Sequence, residues 1–522
     1  MTTLQISIQS CVNPAPEFAG TTPSSSESQD ALPLRPTLAK SGESSFVSHV
    51  LLFSLANLAS LLCNGLLTFL LPRWLSMESY GYYRVFILYG SFAGALHLGL
   101  LDGTLVRWAA RSRQRMTAEI RRTLIFLLLQ QTMLLAPALA ILVTWHRHQP
   151  WFFLASATVF YALLSNTALL GQFALQADKS FGVLSAATAI NPALLLGAVL
   201  ALHHWKRMGL EALLGAYLGA WVAAGLAVWI VLLMKYPAKQ RARETRNAGS
   251  VWRTGVGNIA VGWNILLAGL ITALTLSLDR IVVNLCFSIR DFAIYSLGAT
   301  ALAVVNTVIL SISRVFFPYL SNGLSAEQKL RAYGWGESCL IILWAISLAG
   351  FFPLRALIRE FLPAYVLSLP ILRLLMLATG MTAVIYILHS NYFRSSLRQG
   401  SLLLGAGVGL LSTALLLVLA RRTGSLENIA WAMLAGVTLW WTTNELLLRD
   451  LTHRTLLEIG RTLLLALACG GSFLLCTLIS SNWLGSLVYV GLASLLTVAT
   501  YGPTLRSMRP WVRRSMVFRS AQ

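Results

Sequence analysis

Within the apolar run LSLDRIVVNLCFSIRDFAIYS (276–296) the chain sets Asp279 beside Arg280. A carboxylate in such surroundings can take up a proton or Na⁺, or it can anchor a basic partner. At helical spacing Thr272, Thr275, Asp279 and Cys286 share one face, a partly polar stripe suited to lining a cavity or packing on a neighbouring helix. Helix neighbours point about 100° apart, so a simple Asp279–Arg280 salt bridge is not expected. Asp279 should sit with the threonines, while Arg280 reaches another helix or the interface. A bridge to another helix of the same half is the alternative use of Asp279.

The next charged positions are Arg84 and Asp102, eighteen residues apart. That is five whole helical turns, which puts them on one face with Ser91 and Ala95 between. Arg84 then either lines a wet cavity, where it could meet an anionic cargo, or snorkels outward to headgroups. Asp102 is a candidate for ion coupling or a partner for Arg107. Tyr295, Ala299, Asn306 and Ser313 form a further stripe, with Leu302 as its bulky member. Arg373 follows Pro370 and is read as snorkelling or lining the cavity. Arg314 and Glu445 are read as boundary residues. The cargo-binding candidates are thus Arg84, Ser91, Arg373, Asn306, Thr272 and Thr275, and the ion-coupling candidates are Asp279 and Asp102. The histidines and cysteines show no metal-ligand or redox spacing.

The elements that position these residues follow from composition. The chain has 522 residues, 56% hydrophobic and 11% charged, with mean hydropathy +0.68; soluble domains carry about 25% charged residues. Long apolar stretches recur from residue 46 almost to the end, as in an all-α polytopic membrane protein. Fourteen spans are expected, from 46–72 and 82–103 through 256–287 and 293–317 to 460–480 and 483–503. A net charge of +21 would point a soluble chain toward nucleic acid. Here the charges lie in short connections, so they report topology and lipid headgroup contact, and no nucleic-acid partner is expected. The N-terminal tail, the even-numbered connections and the C-terminal tail carry more than twice the Lys and Arg of the odd-numbered connections. By the positive-inside rule, both termini are cytoplasmic.

The basic stretch KYPAKQRARETRNAGSVWR (235–253) reads as a hinge after six spans. LSMESYGYYR (75–84) aligns without a gap on FSIRDFAIYS (287–296), pairing Ser76 with Ser288 and Tyr83 with Tyr295. Spans one and two thus repeat as spans seven and eight in the same orientation, an arrangement that in transporters puts the substrate site between the halves. The expected organisation is a disordered tail (1–45), a first lobe (46–234), a basic linker (235–255), a second lobe (256–449), two further spans (450–505) and a basic tail (506–522). No Walker-type loop, HExxH or GxSxG is present, and no connection between spans exceeds about twenty residues. Neither an enzyme activity nor a cofactor is expected.

FLLPRWLSMESYGYYRVF and GLLDGTLVRWAA in the first half, with LDRIVVNLCFSIRDFAIYSLG, SRVFFPYLS and EFLPAYVLSLPIL in the second, resemble polysaccharide flippases of the multidrug/oligosaccharidyl-lipid/polysaccharide (MOP) superfamily. The resemblance covers about residues 46–505. It implies a V-shaped pair of six-helix lobes plus two C-terminal helices, enclosing a cationic cavity. It further implies ion-coupled movement of undecaprenyl-diphosphate-linked oligosaccharide across the bacterial inner membrane by alternating access. A polysaccharide polymerase and a chain-length regulator are the protein partners it implies. A peptidoglycan-precursor flippase of the superfamily is the nearest rival, but that branch carries basic residues on span one, and 46–72 has no Asp, Glu, Lys or Arg. A multidrug/cation exporter would need an acidic cavity, and a membrane polymerase or ligase a larger external loop.

Overall fold

The computed structural model describes residues 40–109, 113–145, 151–178, 180–235, 250–302, 309, 312–313, 320, 325–396 and 398–520. Asn306, Arg314, most of the expected tail 1–45 and most of the linker 235–255 lie outside the described residues. The protein is all-helical among the described residues, and helix is present within each of the fourteen expected spans. Among the described residues ten helices are long and apolar enough to cross a membrane, or eleven if a bent pair counts as one span. The physical reason is the absence of water in a bilayer core, which leaves helices to pair their own backbone groups.

The first half consists of α1 (Lys40–Trp74), α2 (Met77–Gly90), α3 (Leu100–Ala109), α4 (Arg113–Trp145), α5 (Phe152–Ala177), α6 (Phe181–His204) and α7 (Leu210–Lys235). Here α1 packs on α6, α5 on α7 and α6 on α7. The second half runs α8 (Val251–Thr275), α9 (Leu278–Cys286), α10 (Ile289–Ala301), α11 (Ala326–Leu348), α12 (Phe351–Phe361), α13 (Ser368–Val384), α14 (Ser390–Ser395), α15 (Gln399–Arg421) and α16 (Leu426–Thr452). Its contacts centre on α16, which packs against α15 and α13. The last pair, α17 (Leu456–Cys476) and α18 (Asn482–Ser520), packs together and on α11. Helix α18 continues to Ser520, into the region read from sequence as a tail, 506–522.

The expected repeat has a local structural counterpart. Ser76 and Ser288, aligned in sequence, are the N-caps of α2 and α10, each accepting the backbone N–H three residues on. These two helices pack together near their starts, and a Cβ on Gly81 would lie 2.6 Å from the Ile289 carbonyl oxygen. Arg290 pairs with Glu78 across the same contact at 2.9 Å. At the other end, α3 meets α8 through Gly99, Gly103 and Gly262. A Cβ on Gly103 would overlap the Asn258 carbonyl oxygen, and Asn258 Nδ2 donates to Thr104 Oγ1 at 2.9 Å. The halves therefore touch at both ends, once through α2–α10 and once through α3–α8.

Span two does not run straight. Helix α2 ends at Gly90, residues Ala93–His97 form a 3₁₀ turn, Leu98 (φ +51°) and Gly99 (φ +83°) are left-handed, and α3 sets off at 59°. Glycine tolerates that backbone without steric cost. Buried amides satisfy the carbonyls that the break releases: Asn166 Nδ2 donates to Ala93 O and Gln131 Nε2 to Leu96 O, both at 3.0 Å.

Gly103→Leu should push α3 off α8. Overpacking of this kind costs about 1–3 kcal/mol. A lowered thermal midpoint for the purified protein, and faster labelling of a cysteine placed at Asn258, are the expected results.

Candidate functional site

A cavity of about 190 Å³ is lined by residues of both halves. Helices α1, α2, α5, α6 and α7 supply most of its wall, and Arg280, Ala299 and Thr300 complete it from the second half. Its chemistry divides in two. One part is neutral and polar: Ser60, Asn64 and Thr68 from α1, Gln172 from α5, Thr188 and Asn191 from α6. The other is aromatic: Tyr80, Tyr83, Tyr217 and Trp221. The charged lining residues are Arg84 and Arg280, and no carboxylate lines the cavity among the described residues.

Arg84 is 7% exposed, and its Nε has no hydrogen-bond partner among the described residues. It forms no ion pair with any described residue. The sequence left Arg84 either facing a cavity or snorkelling; the structure places it in the cavity wall. Tyr83 and Tyr217 pack edge to face near it, with centroids 6.3 Å apart, and Tyr217 in turn meets Phe86 at 5.2 Å. This aromatic packing positions the helix turn that carries the guanidinium.

Arg280 reaches the cavity for a reason the sequence concealed. The helix breaks at Leu276–Ser277, so Asp279 stands in the first turn of α9 rather than on the face of α8. Arg280 donates to Leu276 O at 2.7 Å and to Ser277 Oγ at 3.0 Å, across the break. Its Nε lies 3.7 Å from Asp279 Oδ1, so the pair that helix geometry argued against is present. The adjacency works because the Arg280 side chain folds back over the broken turn.

Asp279 itself is 3% exposed and lies outside the cavity lining. Its Oδ1 accepts the Arg280 backbone N–H at 2.7 Å, and its Oδ2 accepts the Tyr295 hydroxyl at 2.8 Å. It thus ties α9 to α10 and steadies Arg280. Thr272 and Thr275 also lie outside the cavity; each hydroxyl donates to its own helix, to Ala268 O and Ile271 O.

The face drawn from Arg84 to Asp102 is lost at the 59° bend. Ser91 caps the end of α2, donates to Leu88 O at 2.6 Å and does not line the cavity. Asp102 is buried in the first turn of α3, 3.9 Å from His97 Nε2. Arg107, its expected alternative partner, instead donates to Gly257 O at 2.9 Å. Arg373 neither snorkels freely nor enters the cavity: it pairs with Glu427 at the start of α16 at 2.7 Å.

Glu445, read from sequence as a boundary residue, is fully buried. It accepts from Tyr333 and Arg454 and meets His389 in the core of the second half. Its place near the end of α16 gave the sequence no signal of this burial.

No protein-family model matches the chain, and no curated relative does. Solved structures do. The lipid II flippase MurJ, in an inward closed conformation, superposes with TM-score 0.68 over 87% of this chain and 100% of that one, at 11% identity. A multidrug resistance MATE transporter of the MOP superfamily, inward-facing, gives 0.56 over 77% and 96%, at 14% identity. A MOP superfamily transporter from Pyrococcus furiosus Vc1 gives 0.51 over 78% and 94%, at 14% identity. At such identities the likeness is one of fold: this chain shares the helical fold of these proteins.

Tyr295→Phe removes the donor to a buried carboxylate, a loss of about 1–3 kcal/mol. The variant should melt at lower temperature than the wild type, and Asp279→Asn should do the same. An undisturbed midpoint in both would remove Asp279 from its role as a lock between α9 and α10.

Proposed function

We propose that the chain is a flippase for polyprenyl-diphosphate-linked oligosaccharide, serving surface polysaccharide biosynthesis. On this reading it works in a bacterial inner membrane, with both termini cytoplasmic, by ion-coupled alternating access between lobes 46–234 and 256–449. The observation that carries the reading is the cavity lining: two arginines, no carboxylate among the described residues, and a surround of amides, hydroxyls and aromatic rings. Arginine recognises phosphate through its forked donors, while amides and aromatic faces suit a sugar. The fold likeness to a lipid II flippase and to MATE transporters supports a membrane transporter over an enzyme.

A peptidoglycan-precursor flippase is the second reading, favoured by the extent of the likeness to MurJ. Both cargoes carry a polyprenyl diphosphate and both would use Arg84. Helix α1 argues for the first reading, because it meets the cavity with neutral Ser60, Asn64 and Thr68. A multidrug exporter of organic cations fits poorly, since two guanidinium groups would repel its substrate. A polysaccharide polymerase and a chain-length regulator are the protein partners this reading calls for.

Arg84→Ala should abolish surface glycan export with normal membrane insertion, and should weaken binding of undecaprenyl diphosphate by roughly 10–100-fold, the worth of about 1.5–3 kcal/mol for a charged hydrogen bond. Arg84→Lys should retain part of the activity, as a point charge without the fork. Deleting the gene should leave a lipid-linked oligosaccharide on the cytoplasmic leaflet. Accumulation of peptidoglycan precursor instead would favour the second reading.

A further inference from the structure

The second half contains a group of ionisable side chains that the cavity does not use. Glu337 on α11, Glu445 on α16 and His389 beside α14 are 3%, 0% and 0% exposed, and Arg454, just before α17, reaches in among them. Arg454 Nη1 lies 2.7 Å from Glu337 Oε1 and 2.9 Å from Glu445 Oε2, and its Nη2 donates to Thr462 Oγ1 at 3.0 Å. The guanidinium also lies 5.7 Å from the centre of the Tyr333 ring. Tyr333 donates its hydroxyl to Glu445 Oε1 at 2.7 Å, and His389 Nε2 lies 3.0 Å from the same oxygen. None of these residues lines the cavity.

We propose that His389 and Glu445 form a proton-binding site, separate from the cavity, in which the imidazole Nδ1 takes the proton. Three observations lead there. First, an ionised Glu445 only accepts hydrogen bonds, so His389 must present Nε2–H to it. That tautomer leaves Nδ1 with a free lone pair, and Nδ1 is buried with no hydrogen-bond partner among the described residues. Second, the charges do not balance: two carboxylates face one guanidinium. An excess negative charge in a dry interior costs several kcal/mol, and one proton on Nδ1 cancels it. Third, His389 ends a turn of π-helix, Ile385–His389. Such turns widen the backbone and are concentrated at functional positions.

The other ionisable groups that face the site are phenols: Tyr392 against the Tyr333 ring, and Tyr501 from α18 beside Glu337. Arg394 and Tyr386 lie on the same stretch of chain as His389, to either side of it. Neither phenol supplies a charge at neutral pH, so the balance is settled by a proton on the imidazole or on one of the two carboxylates, and the imidazole is the group with a buried acceptor nitrogen left unpartnered among the described residues.

The site is also mechanically connected. Ser313 Oγ donates to Tyr386 O within the π turn at 2.7 Å, and Asn391 Nδ2 donates to Ser313 O at 3.0 Å. Ser313 belongs to the chain that follows α10, the helix that closes on α2. A change of charge at His389 therefore acts within one turn of the contacts that hold this chain. As a coupling site for transport, the proposal rests on the transporter reading; as a proton site, it stands without it.

The test uses the full-length protein, with imidazole-¹⁵N histidine, in nanodiscs. The His389 signal is identified by its absence from His389→Gln. Over the pH range in which the protein stays folded, it should pass, as the pH falls, from the Nε2–H tautomer to a form protonated on both nitrogens. His389→Gln should take up one proton fewer over that range. A signal that stays neutral throughout, or unchanged proton uptake in His389→Gln, would overturn the site. If His389→Gln does not fold, Tyr333→Phe identifies the signal, as it removes the other donor to Glu445 Oε1. In proteoliposomes, stimulation by a proton gradient should fall about tenfold in His389→Gln, a size ordinary for linked sites. Binding of undecaprenyl diphosphate at the cavity should persist. Retained stimulation would remove the coupling role. Arg84→Ala should show the opposite pattern, with binding lost and the His389 titration kept, so that failure of the cargo reading and failure of the proton site are told apart.

Discussion

A guanidinium that cannot lose its charge must, inside a helical bundle, be paired with an anion or kept in contact with water. Arg84 is 7% exposed and has no carboxylate partner among the described residues, so the second condition governs the first half of the molecule. The amides and hydroxyls of α1, α5 and α6 keep the space around it polar, and the tyrosines of α2 and α7 hold its helix turn in place. Three other arginines have answers within the protein. Arg355 is capped by Thr477 O, Ile479 O and Asn482, Arg373 is paired with Glu427, and Arg454 with two glutamates. Arg84 has no ion pair with a described residue, and on the proposed flippase reading that distinction, rather than basicity, makes it a cargo residue.

Two broken helices bring the cavity's charges into position. A straight span two would have carried the register of Arg84 on to Asp102; the 59° bend at Leu98–Gly99 sends Asp102 to His97 instead. A straight span seven would have turned Arg280 away from Asp279. The break at Ser277 lets it fold back and face Arg84's cavity. Both breaks carry side-chain hydrogen bonds to the released carbonyls, as a bilayer requires of any irregular backbone. The unwound turns are therefore part of how the binding surface is made.

This also explains what could be read from the sequence. Apolar runs of span length announce helices reliably, because nothing else is stable in lipid, and the serine pairing of 75–84 with 287–296 announced two matching N-caps. Arg84 could be singled out as a charge within a span. Arg280 could not be placed, nor Thr272 and Thr275 dismissed, since both inferences assumed an unbroken 3.6-residue period. LSLD offers no proline, and a break held by Arg280 and Ser277 side chains leaves little trace in composition. Glu445 was hidden differently. It lies seven residues from the end of α16, where a charge ordinarily meets water. Only the return of the chain through Arg454 and α17 shows that it is covered.

The two ionisable centres differ in the sign of their imbalance, and this bears on how transport could be driven. The cavity is lined by two arginines and would take an anion, whereas the second group sets two carboxylates, Glu337 and Glu445, against the single guanidinium of Arg454 and, on the proposal made above, takes a proton. On that reading a bulky diphosphate and a proton would not compete for one pocket. An exchanger that empties one pocket to fill it with the other ligand would need a shared site, which this arrangement does not provide. Coupling would instead pass through packing, from the π turn at His389 by way of Ser313 to the chain that follows α10 and so to the α2–α10 closure. Such a scheme allows both ligands to be bound at once, and their linkage to be set by which closure each one favours.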